Sequence, residues 1–425
     1  MSDGTLQTLD VTMLDDVNNA SGLIQLDSNA KIPACSGASI TGISGVTKNA
    51  SDPALDTNPS GGVGTVWQNT TSGEMFICTN ATAGANVWTN VGAGSGNVVP
   101  YVFQGSSYGY AAGGYSYILP LGPYQEGNHT NIDKWSFSSD GNATKVGDLA
   151  NIVSGRNTSG EADSGSANGA SACSGTHGYH IGGWDSPGAS DIMGKWAFAT
   201  DSDGVDIGDM HDARSNCSGF SDGNTGYVAG GDSPPPYTPA QLTDMIQSLA
   251  FSSDAVADTT QNLSTVRCRA AACQTTTYGY HLGGAETLTA TAVNTIERFQ
   301  FATTNHAVDV GDLTIGARRE AKSGTSSTTH GYVCGGTTAV AATKLNSIEK
   351  VQMVATANST DVADILAHKP ALSGQSSTTH GYYAGYITSS AGSDEIAKYS
   401  HTSDANATDV GNLTKTTGNA YGAQV

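Results

Sequence analysis

The stretch "THGYVCGG", Thr329 to Gly336, returns almost letter for letter as "THGYHIGG" at Thr176 to Gly183 and as "THGYYAGY" at Thr379 to Tyr386. Its centre, a Gly-Tyr pair, occurs at Gly109, Gly178, Gly226, Gly279, Gly331 and Gly381, at intervals of 69, 48, 53, 52 and 50 residues. Two residues after each tyrosine comes a glycine pair, except in the last copy, where Tyr386 takes the place of the second glycine. Internal repetition at such a period is the mark of an architecture in which each unit buries its apolar face only against its neighbours.

A second block follows each copy and aligns over fifteen residues without a gap, starting at Trp135, Trp196, Leu249, Phe299, Val351 and Tyr399. WSFSSDGNATKVGDL and YSHTSDANATDVGNL are two of its forms. The opening residues alternate large apolar with small or polar, as in a half-buried strand. Ser-Asp-Gly-Asn and Ser-Asp-Ala-Asn are turn chemistry, and the Val-Gly-Asp-Leu ending completes a hairpin.

Units of about fifty residues with a Gly-Gly strand have the period of kelch repeats, which build the blades of a propeller. The expected fold is all-β: a six-bladed kelch-like β-propeller over residues 100–425. In each blade the tyrosine packs between neighbours, and the glycines leave room where a Cβ would clash. Closure can be tested by counting. From the last residue of a block to the next Gly-Tyr is 16 residues after Met210, Leu263 and Ile365 and 18 after Leu313, but only 12 residues follow Leu413. The C-terminal segment TKTTGNAYGAQV therefore supplies the missing strand of the first blade, next to Gly105 to Tyr108, and leaves no open sheet edge. Leu149 lies 29 residues before Gly178, which places a loop insertion, SGRNTSGEADSGSANGAS, between the first two blades.

Composition agrees with short strands and tight turns. Glycine is 54 of 425 residues, only 13% are charged, and acidic residues outnumber basic ones enough for a net charge of −20. Such a surface repels a phosphate backbone, so nucleic acid is excluded as a partner. No run is long and apolar enough to span a membrane, and MSDGTLQTLDVTML lacks the basic and apolar regions of a signal peptide. The seven cysteines are an odd number, with no metal-ligand spacing, and read as small buried hydrophobes.

Residues 1–99 do not repeat the unit. Residues 1–55 form an extended, polar arm that orders only against a partner surface or another copy of the chain. Within residues 56–99, GTVWQNTTSGEMFICTNATAGANVWTNVG reads as a three-stranded meander with Val66, Trp67, Phe76, Ile77 and Trp88 as a small core. The phrase LIQLDSNAKIPACSGASITGI resembles the N-terminal connector of bacteriophage tail-fibre and virion structural proteins of the marine and cyanobacterial phage type. PSGGVGTVWQNTTSGEMFICTNATAGANVWTNVG is similar to the β module that follows it there, and the kelch-like units resemble the distal domains of some such proteins. The resemblance implies that the N-terminal arm attaches to other virion proteins. It also implies a distal domain that meets a host-surface glycan or protein, a homo-oligomer, trimeric in the family, and a location on the virion. Some relatives are head fibres or capsid decoration proteins.

The loops between the Gly-Tyr and aromatic strands vary most in the first three units. They carry Tyr115, Tyr117, Tyr124, Trp184 and Tyr237, with Glu126, His129, Asp185 and Asp232 nearby. Aromatic faces beside carboxylates suit the C–H faces and hydroxyls of sugars, and these nine residues are the candidate receptor-binding set. No catalytic residue and no cofactor is expected. A polysaccharide depolymerase needs two facing carboxylates, no such pair can be placed in one cleft, and no GxSxG, HExxH or Walker pattern occurs. No metal site is expected either. His177, His330 and His380 stand where other copies have Tyr108, Thr225 and Tyr278, so they mark a recurring turn. Asp201, Asp203 and Asp206 lack the downstream glutamate of a calcium loop.

Overall fold

The computed structural model describes residues 46–91, 101–117, 126–150, 167–185, 188–233, 241–287, 291–316, 318–319, 324–338, 343–370, 372–387 and 392–425. It divides into two compact units, residues 1–100 and 101–425. Every named element among the described residues is a β-strand.

The smaller unit is a four-stranded sheet of Thr47–Asn49, Val66–Asn69, Met75–Asn80 and Val87–Asn90, in that order. It corrects the three-stranded meander expected from the sequence. Thr47–Asn49 runs parallel to Val66–Asn69, so the boundary drawn at residue 55 cuts through this module. A strand of Thr, Lys and Asn, exposed throughout, pairs by its backbone alone and leaves no apolar alternation to read. The core is also smaller on one side than expected. Trp67, Phe76, Cys78 and Trp88 are buried together, with Trp67 and Trp88 edge to face at 5.8 Å. Val66 and Ile77 face each other across the ladder but are only half-buried, because alternate residues of a strand point to opposite faces.

The larger unit is built from six antiparallel four-stranded sheets. Sheet 1 comprises Tyr421–Gln424, Tyr108–Ala112, Asn131–Ser136 and Thr144–Asp148. Sheet 2 comprises Ala170–Cys173, His177–Asp185, Gly188–Ala197 and Val205–Asp209; sheet 3, Ser218–Ser221, Thr225–Ala229, Met245–Ala250 and Ala255–Asn262. Sheet 4 is Ala271–Gln274, Tyr278–Leu282, Thr295–Gln300 and Val308–Asp312. Sheets 5 and 6 repeat the order with Gly324–Ser326, His330–Cys334, Ser347–Gln352 and Thr360–Asp364, then Ser373–Ser376, His380–Ile387, Gly392–Ser400 and Thr408–Thr417. The C-terminal strand takes the first place in sheet 1, with Tyr421 opposite Ala112 and Gln424 opposite Gly109, as the residue count required.

The first strand of each sheet packs against the first strand of the next, and that of sheet 6 packs against that of sheet 1. Apolar burial follows the same order, because each of the six large clusters joins two neighbouring sheets. Each Gly-Tyr tyrosine reaches the third residue of the next sheet's fifteen-residue block. Tyr110 stacks on Phe198 at 4.9 Å, Tyr179 on Phe251 at 4.3 Å, Tyr227 on Phe301 at 4.8 Å and Tyr332 on His401 at 5.0 Å. Tyr280 donates its hydroxyl to the Met353 carbonyl, and Tyr382 of sheet 6 meets Phe137 of sheet 1 at 4.6 Å. The glycine before the tyrosine is a steric requirement: a Cβ on Gly178 would lie 2.4 Å from the buried Trp196 ring.

Five of the six fourth strands are covered as well. The hairpin of one sheet donates a backbone N–H to the fourth-strand edge of the previous one: Gly204 to Asp148, Ala307 to Asn262, Ser359 to Asp312, Ala407 to Asp364, and Ala143 to Asn412, all at 2.8 to 2.9 Å. Lysine–aspartate pairs follow the same path, Lys134–Asp201, Lys195–Asp254, Lys350–Asp404 and Lys398–Asp140. They are partly exposed, so each adds at most about 1 kcal/mol.

Candidate functional site

Each sheet has two different ends. At one lie the tight turns before the Gly-Tyr strands and the Ser-Asp hairpins; at the other lie the glycine pairs and the connections to the next sheet. The first glycine of every pair has φ between 59° and 64°, a left-handed conformation that turns the chain away without a Cβ penalty. Beyond the glycines, short two-stranded ribbons extend from five sheets: Tyr115–Tyr117 with Glu126–Asn128, Gly183–Asp185 with Gly188–Ser190, Asp232–Ser233 with Gln241–Leu242, Arg318–Arg319 with Thr337–Thr338, and Tyr386–Ile387 with Gly392–Ser393. The sequence drew attention to the first three only. Arg318–Arg319 and Thr337–Thr338 escaped because two-residue strands have no periodicity.

The first strands of all six sheets line one cavity of about 80 Å³. Small residues make this approach possible: a Cβ on Gly219 would meet the Ser171 carbonyl at 2.0 Å, and one on Gly324 the Ala272 carbonyl at 1.8 Å. At the turn end, Tyr101 to Gly105 crosses the cavity mouth. The Tyr101 hydroxyl bonds the Cys173 carbonyl at 3.2 Å and Ser221 Oγ at 3.0 Å, and Gln104 donates to the Ser326 carbonyl at 3.2 Å. Gln424 donates to the Phe103 carbonyl, and the Gly105 N–H to the Ser376 carbonyl at 2.8 Å. Five consecutive residues thus bond to sheets 1, 2, 3, 5 and 6, and the chain enters the larger unit at the end opposite the ribbons.

At the ribbon end, Asn168, Asn216, Arg269 and Asn419 precede the first strands of sheets 2, 3, 4 and 1, all with φ between 55° and 65°. Their backbones form a chain around the cavity: Arg269 N–H to Asn216, Asn216 to Asn168, Asn168 to Asn419, at 2.9, 2.6 and 3.1 Å. Three carboxamides and a guanidinium, all half-buried, stand at this rim. Such groups bond hydroxyls and carboxylates, and the Asn216 amide already does so with Asp232.

The nine candidate residues separate into three groups. Tyr115 is half-buried, and its backbone exchanges hydrogen bonds with Gly418 at 2.9 and 3.0 Å. Trp184 is half-buried too, and its carbonyl accepts from Asn128 Nδ2 at 2.6 Å, which ties the first ribbon to sheet 2. Tyr117 pairs with Glu126, and Asp185 with Gly188, within their ribbons. Tyr124 and Tyr237 lie outside the described residues, as does the insertion up to residue 166. His129 and Asp232, read from the sequence as exposed partners of the aromatics, are buried. His129 has no hydrogen bond to either ring nitrogen, and burial holds its pKa down at about 4. Asp232 accepts from Ser215 Oγ at 2.6 Å and from Asn216 Nδ2 at 3.0 Å, so its carboxylate fastens the ribbon of sheet 3 to its first strand. Both belong to the fold. A loop residue just beyond a Gly-Gly turn folds back onto the next connection, and no linear pattern reveals that.

His177, His330 and His380 each share a hydrogen bond between Nδ1 and the preceding threonine hydroxyl at 2.8 Å. Among the described residues no three His, Cys, Asp or Glu side chains are grouped to hold a metal ion, and the six described cysteines are buried.

No protein-family model matches the chain, and no curated protein does. Among solved structures, one titled "Structure of YjhT" aligns with 60% of this chain and 86% of its own, at 10% identity and a TM-score of 0.52. That likeness is one of fold, β-propeller-like in the layout of its sheets.

Proposed function

We propose that the chain is a virion structural protein of the bacteriophage tail-fibre type, whose larger unit is a closed, six-bladed kelch-like propeller. The observation that carries this reading is the separation of ends. The chain enters the propeller at the turn end, while the ribbons and the polar rim of Asn168, Asn216, Arg269 and Asn419 lie at the other. In this reading the ribbon end is the presented side, where side chains vary between units.

In this reading residues 1–55 fasten the protein to other virion proteins, and the ribbon end binds a host-surface glycan or protein without chemical conversion. Copies assemble as a homo-oligomer, a trimer in the family it resembles, and weak single contacts multiply on one particle. The test uses the full-length protein. It should adsorb to host cells and compete with particles, and Trp184→Ala should weaken adsorption about tenfold while unfolding at the same temperature. Failure to adsorb or compete would move the assignment to a head-fibre or decoration role; shortened host polysaccharide after incubation would make it a depolymerase.

A further inference from the structure

The third residue of the fifteen-residue block is the wedge that receives the neighbouring tyrosine. It is Phe137, Phe198, Phe251, Phe301 and Met353 in sheets 1 to 5, and His401 in sheet 6. The imidazole lies under Tyr332, nearly parallel, with an interplanar angle of 16°, and only 8% of it is exposed. Neither ring nitrogen has a hydrogen-bond partner. A buried polar group left without partners is uncommon, and five apolar alternatives stand at the equivalent position of the same chain.

The groups that face His401 are basic. From sheet 5, His330 and Lys350 face it; from its own sheet, His380 does. Asp404 of the sheet 6 hairpin is the nearby carboxylate, and it is bonded to Lys350 Nζ at 2.9 Å. Tyr332 and Tyr399 complete the contacts, at 5.0 and 6.2 Å between ring centres. A proton on His401 would therefore add a charge with no acceptor, in an apolar seam, beside groups that also gain charge in acid.

We propose that the seam between sheets 5 and 6 is an acid-sensitive joint of the propeller, opened by protonation of His401 together with the flanking His330 and His380. The direction follows from linkage. Burial, then His380 and His330, lower the His401 pKa from 6.5 to about 4. The unfolded or opened chain takes up the proton first, so the seam's stability is complete above pH 6.5 and drains as the pH falls toward 4.

Hydrogen exchange of the full-length protein, corrected for intrinsic rates, tests this between pH 7 and pH 4.5. Segments His330–Cys334 and Tyr399–Thr402 should lose protection about tenfold or more beyond the loss at the segment around Phe251, in the seam between sheets 2 and 3. His401→Phe and His401→Met should reduce the acid loss at this seam to that of the Phe251 segment; methionine already fills the equivalent place as Met353, which keeps the test available should phenylalanine not fit. The proposal is overturned if the wild-type seam opens no more than the Phe251 segment, or if both variants lose protection in acid as the wild type does.

Discussion

At the scale of single residues, the recurring glycines and tyrosines are two halves of one steric device. Gly178 lets the Trp196 ring lie across the strand, and the following Tyr179 projects to Phe251 in the next sheet. Gly178→Ala would place a methyl within 2.4 Å of that ring and 3.0 Å of Ala423. Because Trp196 is buried and cannot swing away, the variant should lose about 1–3 kcal/mol in urea unfolding. Asp232 provides a second case. Asp232→Ala leaves Ser215 Oγ and Asn216 Nδ2 without their acceptor, and a loss of about 1–3 kcal/mol is expected; a melting temperature equal to that of the wild type would deny the carboxylate its fastening role.

At the scale of elements, the chain ends matter more than any ion pair. Removing Tyr421 to Val425 exposes the backbone edge of Tyr108–Ala112 and empties the cluster that contains Tyr421 and Ala423. The truncated protein should aggregate, since an open strand edge pairs with other chains. A synthetic GNAYGAQV peptide added during refolding should restore soluble protein. By contrast, Lys398→Ala breaks only the partly exposed pair with Asp140, and its unfolding free energy should change by less than about 1 kcal/mol.

At the scale of the whole molecule, stability depends on pH through histidines buried in their neutral form. Burial lowers His129 and His180 from 6.5 to about 4, and burial with the nearby Arg267 lowers His281 well below 6.5. Each binds a proton in the unfolded chain before it does in the folded one. Their contribution is therefore present above pH 6.5 and is lost as the pH falls toward 4. Asp133 works the other way, because burial raises its pKa and it tolerates acid better folded than unfolded. Asp209 is raised in the same direction. With several histidines against these two carboxyls, the unfolding free energy should fall by several kcal/mol, on the order of 1.4 per pH unit for each group, between neutral pH and pH 4.5. A flat profile over that range in chemical denaturation would mean that these imidazoles are hydrated.

The sequence by itself determined the repeat, the strand order within each unit and the place of the C-terminal strand. All three follow from local steric demands that recur at fixed spacing: a glycine under an aromatic ring, a tyrosine one sheet from its receptor, a turn of Asp and Asn. Only the tertiary structure decided which polar residues are buried. His129 and Asp232 sit in loops that read as exposed, yet each is enclosed by a connection from another part of the chain. The same holds for Tyr101 to Gly105, a stretch without repeat or motif that bonds to five sheets because it passes where they converge. The parallel strand Thr47–Asn49 and the ribbon of Arg318–Arg319 are held by backbone hydrogen bonds, which any side chain permits. Such contacts depend on what lies across space from a residue, and spacing along the chain carries no record of it.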